Sequence, residues 1–155
     1  METKLKFYEY TQNNSGGRFV TDEQLCHRLF IQARNEVKAN EEAVKKGVYF
    51  GGVDDGTDCS CCGDRWSSPD EMEFPCRYGT FDKLEAEEIA KEYKADVGQT
   101  EWKFIGTEEP DPDRYDVVFR NVESYAQYLA DKYGEKGIDA RIFYKDGKII
   151  EVKSK

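Results

Sequence analysis

The stretch Tyr115-Asp116-Val117-Val118-Phe119-Arg120-Asn121-Val122, with its continuation to Lys153, decides the fold class. Residues 115–120 are rich in aromatic and β-branched side chains and predict a strand. Asn121 carries a side-chain oxygen suited to an N-cap. Behind it Val122, Tyr125, Ala126, Leu129 and Tyr133 recur at helical spacing, and Gly134 and Gly137 end the helix. Residues 139–145 and 148–153 read as two strands, joined by Asp146-Gly147, a dipeptide that favours the backbone twist of a tight hairpin. Strand, helix and hairpin within forty residues predict an α+β chain with a mostly antiparallel sheet and about three helices.

Working outward, the same signals repeat. Residues 82–95 place Ala86, Ile89, Ala90 and Tyr93 on one helical face. Trp102-Lys103-Phe104-Ile105 reads as a strand, followed by the acidic, proline-containing loop 108–113. Near the N-terminus, residues 4–10 alternate as a strand, and Asn13-Asn14-Ser15-Gly16-Gly17 is a loop. Residues 25–33 alternate again, with Leu25, His27, Leu29, Ile31 and Ala33 on one face and Cys26, Arg28, Phe30 and Gln32 on the other. Asn35 caps a helix over 36–46 that Gly47 stops, with Val37, Ala43 and Val44 expected toward the core. Val48-Tyr49-Phe50 reads as a short strand. The predicted order is β, β, α, β, insert, α, β, β, α, β, β, forming a single domain over residues 1–155.

The insert, at about 51–80, holds four of the five cysteines: Cys59, Cys61, Cys62 and Cys76. Its aliphatic content is low, so it needs a cross-link to offset an ordering cost of about 1–2 kcal/mol per residue. Cys59 and Cys62 are spaced to grip one zinc from a tight turn. The expected site is a structural zinc held by Cys59, Cys62, Cys76 and His27, with Cys61 and Cys26 in reserve. A reducing cytosol disfavours a disulfide framework. A redox role for the cysteine cluster and simple unligated cysteines are the other readings, although thioredoxin-like pairs open a helix rather than sit in a Gly/Asp loop.

The chain carries 32 acidic against 23 basic residues, a formal charge of −9. Without a basic stripe, direct nucleic-acid binding is not expected. No apolar run is long enough to span a membrane, and no signal region precedes the first strand, so a cytosolic protein is expected. One histidine cannot serve both as metal ligand and general base. Cys26 and His27 are adjacent and point apart on a strand, which is poor geometry for a nucleophile pair. No phosphate-binding or hydrolase motif occurs. A non-enzymatic role is therefore expected, and no catalytic residue is singled out.

Three segments carry a resemblance: Lys6-Phe7-Tyr8-Glu9-Tyr10-Thr11-Gln12-Asn13-Asn14-Ser15-Gly16-Gly17, Asp58-Cys59-Ser60-Cys61-Cys62-Gly63-Asp64-Arg65-Trp66, and Asp139-Ala140-Arg141-Ile142-Phe143-Tyr144-Lys145-Asp146-Gly147. They resemble an uncharacterised family of small proteins encoded by tailed bacteriophages. The resemblance implies an accessory protein acting in the host cytoplasm, one that binds and inhibits a host or bacterial-defence component. The alternative is a sponge that sequesters a nucleotide-like defence signal. A sponge needs cations beside aromatic faces, for which Arg18, Arg65 with Trp66, and Arg77 with Tyr78 are the candidates. The ten tyrosines suit either an interface or a core.

Overall fold

The computed structural model describes residues 5–13, 20–58, 60–61, 63–100, 106, 108–134 and 137–154. The chain is α+β, with three helices and eight strands among the described residues. It divides into two compact units, Met1–Glu73 with Leu129–Lys155, and Phe74–Tyr128. Each unit has its own sheet, where the sequence predicted one.

The first unit holds β1 (Lys6–Thr11), β2 (Arg28–Ala33), α1 (Glu36–Lys46), β3 (Asp70–Met72), β7 (Ile138–Phe143) and β8 (Ile149–Lys153). Its five strands run in the order β3-β1-β2-β7-β8. All pairings are antiparallel except β2–β7, which is parallel, with Arg28 opposite Ala140 and Ile31 opposite Phe143. The core joins Tyr8 and Tyr10 of β1 to Leu29, Ile31 and Ala33 of β2, with Ala39 and Ala43 of α1, Trp66 and Phe143. The β7–β8 hairpin turns where the Asp146-Gly147 signal places it, with Gly147 at φ 101°.

Helix α1 has the predicted ends. Asn35 accepts from the Lys38 amide, and Gly47 closes the helix in the left-handed region. Its buried face differs from the expected one. Ala39 and Ala43, one turn apart, face the sheet, while Val37 and Val44 stand 65% and 56% exposed. Alanine lets the helix lie close to the strands, and the valines fall outside that stripe. Val48–Phe50 forms no strand, because the Gly47 and Val48 amides fold back to Val44 and Ala43 carbonyls.

Strand β2 starts at Arg28 rather than Leu25. Asp22 closes a turn by accepting from the Gln24 and Leu25 amides, and Arg141 donates to the Asp22 and Leu25 carbonyls. Those groups are spent on the turn, so the two-residue alternation expected for Cys26 and His27 does not apply.

The second unit holds β4 (Cys76–Phe81), α2 (Lys83–Glu92), β5 (Asp96–Gln99) and β6 (Tyr115–Phe119), with sheet order β4-β6-β5, antiparallel throughout. The boundary between the units falls within α3 (Val122–Tyr133). Asp82 and Asn121 cap α2 and α3 through the Glu85 and Ser124 amides. Such caps each contribute about 1 kcal/mol. Tyrosines fill this core: Tyr78 lies edge-on to Tyr125 and Tyr128 at 5.7 and 5.4 Å, and Phe119 is 5.4 Å from both. The predicted strand 102–105 lies outside the described residues.

Candidate functional site

The predicted zinc ligands are placed as follows. Cys59 and Cys62 lie outside the described residues. Cys61 is exposed, Cys76 opens β4 in the second unit, and His27 precedes β2 in the first. Among the described residues, no group of three or more His, Cys, Asp or Glu side chains is arranged to hold a metal ion.

His27 takes part in a largely buried polar cluster. Its Nδ1 lies 3.4 Å from Asp139 Oδ1, while Asp139 Oδ2 is 3.4 Å from Arg28 Nη1. Glu9, on β1, lies 3.6 Å from Arg28 Nε. A register shift between Ile138 and Ala140 leaves Asp139 out of the β7–β8 ladder. Such a bulge re-aims a side chain, here toward two residues from before and within β2. Burial pushes the Glu9 carboxyl above its ordinary range, although Arg28 opposes that shift. Cys26 is fully buried, and burial raises its thiol to about 12. Burial of this kind disfavours the thiolate, the reactive form of the side chain.

The segment read as an insert is organised by carboxylates and one tryptophan. Asp58 accepts from the Tyr49 hydroxyl at 2.7 Å and the Arg65 amide at 2.8 Å. Asp64 accepts from the Val53 amide at 2.9 Å. Trp66 is buried and bridges to Gln12, whose amide side chain is itself satisfied by Val20, Cys26 and Arg65. Residues 70–72 and 76–81, assigned to the same insert, are strands of the two different sheets. The proposed cation–aromatic pairs also make contacts within the protein. Arg65 donates to Gln12, Arg77 donates to the Gln99 carbonyl beside Asp116, and Tyr78 packs in the second core. Arg18 lies outside the described residues.

The arrangement best suited to a ligand is a groove in the first unit, a cavity of about 560 Å³. Its floor is apolar, from Ile31, Ala33, Phe143 and Ile149. Among the described lining residues, its rim carries Arg34, Lys38, Lys46 and Lys145 against one acid, Glu42. Lys46 Nζ stands 4.5 Å from the Phe143 ring centre and 3.9 Å from Glu42. The parallel β2–β7 pairing builds this place. Both strands end at the same edge, so Arg34 follows β2 where Lys145 follows β7, and the Lys145 amide donates to Gln32 Oε1 at 3.1 Å. Helix α1 begins there and runs Lys38, Glu42 and Lys46 along one side at one-turn intervals. Sequence reading missed the groove because its two halves are about a hundred residues apart. The legible part was the Lys38-Glu42-Lys46 spacing, which by itself describes any solvated helix.

A concave, apolar-floored site with a cationic rim, in a protein of net charge −9, is a local reversal of charge. It suits a small anion that also carries a flat apolar body. Among the described residues no helix is long and apolar enough to cross a membrane. No curated protein and no solved structure matches the chain. One family model does, the Domain of unknown function (DUF7296), over residues 5–110. The matched span includes the β2 and α1 side of the groove but stops short of the β7–β8 side. Covering more than half of the 155 residues, it shows that the chain belongs to the DUF7296 family.

Proposed function

We propose that this protein works by stoichiometric binding without turnover, sequestering a small nucleotide-like anion in the groove between α1 and the ends of β2 and β7. The single observation that carries this is the cationic rim over an apolar floor. In the setting that the phage-family resemblance implies, the ligand is a defence signal in the host cytoplasm, and sequestration lowers its free concentration. The test is to purify the protein from cells in which such signals are made, heat it, and analyse the supernatant by mass spectrometry. A released anionic small molecule, intact and near one per chain, supports the reading. Multiple turnovers of that molecule by the purified protein overturn it.

The second reading, inhibition of a host protein, is favoured by Val37 and Val44. They are exposed and seven residues apart, within about 20° of each other on α1. One stoichiometric host protein retained on the wild-type chain, and lost from Val44→Glu, supports this reading over the first.

A structural zinc is part of the proposal on the Cys59–Cys62 spacing. His27 is compatible with it, because a carboxylate at Nδ1 is how proteins commonly orient an imidazole that binds metal through its other nitrogen.

A further inference from the structure

We infer that the groove reads its ligand through terminal phosphates and accepts any flat base on its floor, a refinement that rests on the sequestration reading above. Three of the four rim cations, Arg34, Lys38 and Lys145, gather where β2 and β7 end and α1 begins. Among the described residues, neither Arg34 nor Lys145 has an ion-pair partner, whereas Lys38 pairs with Glu41 at 3.5 Å and Lys46 with Glu42. Two uncompensated cations on one rim repel each other, and a multiply charged anion between them relieves that repulsion. A bridging phosphodiester carries one negative charge. A terminal mono- or polyphosphate carries two or more, so it matches the rim better.

The floor offers little to distinguish one base from another. Among the described lining residues its neutral hydrogen-bonding side chains are Gln32, whose oxygen accepts from the Lys145 amide, and Tyr144, whose ring lies edge-on to Phe7 at 5.6 Å. Base edges read by hydrogen bonds need unengaged donors and acceptors, while stacking on apolar surface tolerates every base. The geometry therefore assigns affinity to the phosphates at the strand ends and shape selection to Ala33, Phe143 and Ile149.

Calorimetric titration of the full chain with ATP, AMP, adenosine, CTP and inorganic tripolyphosphate tests this. ATP is expected to bind about tenfold or more tighter than AMP, with CTP within about threefold of ATP and adenosine undetected. Tripolyphosphate should bind more weakly than ATP, because it leaves the floor empty. Arg34→Ala and Lys145→Ala should each weaken ATP by about fivefold or more, while Lys83→Ala, on α2, leaves it unchanged. Thermal melts of the variants confirm folding. Adenosine binding as tightly as ATP, strong preference for one base, or unchanged affinity in both groove variants overturns the inference. If heating the protein releases a phosphate-free anion and none of these phosphates bind, the inference falls while sequestration stands. If no anion is released and no phosphate binds, both fall.

Discussion

Asp139 Oδ1 lies 3.4 Å from His27 Nδ1, and the same carboxylate reaches Arg28 with its other oxygen. The chain thus spends a buried, bulge-displaced aspartate on fixing the residues that lead into its central strand.

Removing that charge should be costly. Asp139 is nearly fully buried, so Asp139→Asn leaves Arg28 to the more distant Glu9, at 3.6 Å. Loss of one partner from a buried pair costs about 3 kcal/mol, to be read as a lower denaturant midpoint. A change below about 0.5 kcal/mol would place the cluster among ordinary surface pairs. Gly134→Ala should disturb the same place, because an added Cβ would sit 2.3 Å from the Ala130 oxygen and 3.0 Å from Asp139 Cγ.

Glu9 makes the cluster sensitive to pH. Burial holds its folded carboxyl above the unfolded value, so the folded state keeps the proton longer. Its contribution to stability is therefore greatest below the ordinary carboxylate range. It falls as pH rises through that range to the raised folded value, where the buried group must ionise. Comparing unfolding of the wild type and Glu9→Gln across this window should show the wild type losing stability relative to the variant as pH rises. Parallel pH curves for the two proteins contradict the assignment.

Cysteine reactivity should separate by burial. Cys26 is fully buried with its thiol raised to about 12, whereas Cys61 is exposed. Mass spectrometry after brief alkylation of native protein should find Cys61 modified and Cys26 untouched until denaturant is added. Early modification of Cys26 would show that the turn around Asp22 opens readily.

The loop around Asp58 gives a fourth prediction. A Cβ at Gly52 would stand 2.0 Å from Asp58 Oδ2 and 2.8 Å from the Tyr49 ring. Gly52→Ala must therefore displace the carboxylate that holds Tyr49 and the Arg65 amide. The expected loss is about 1–3 kcal/mol, the range for buried polar groups left unpaired. Hydrogen exchange should quicken over residues 51–58 and 63–66 and stay slow in β7 and β8. Uniform quickening would mean that the loop is no separate unit of stability.

Elemental analysis of protein purified without chelator should give about one zinc per chain, the ratio of a four-ligand structural site. Cys59→Ser and Cys62→Ser should lose it. Metal-free protein with unchanged exchange over residues 63–66 would remove zinc from the account and leave Asp58, Asp64 and Trp66 as the organising groups.

Local rules were legible where one segment decides its own structure. Asn35 with Gly47, and Asp146 with Gly147, announce their helix and hairpin because caps and tight turns depend on a few adjacent residues. The buried face of α1 was less legible, since large valines outweigh small alanines on any hydrophobicity count and yet Ala39 and Ala43 face the strands. The division into two sheets was hidden because it depends on which strands pair. Strand β5, Asp96–Gln99, has almost no strand character of its own and exists through its pairing with β6. The groove was least legible of all, since no periodicity connects Arg34 with Lys145.

The parallel partnership of β2 and β7 also sets a timetable. Arg28 faces Ala140 across the middle of its sheet, so the first unit cannot close until the chain has been made nearly to its last strand. At translation rates of about 5–20 residues per second, β2 waits roughly 5–20 s for its neighbour. During that wait its apolar edge is uncovered. The continuous segment Phe74–Tyr128 emerges complete in the meantime, so on the ribosome the second unit is expected to fold before the first, although the first begins earlier in the chain.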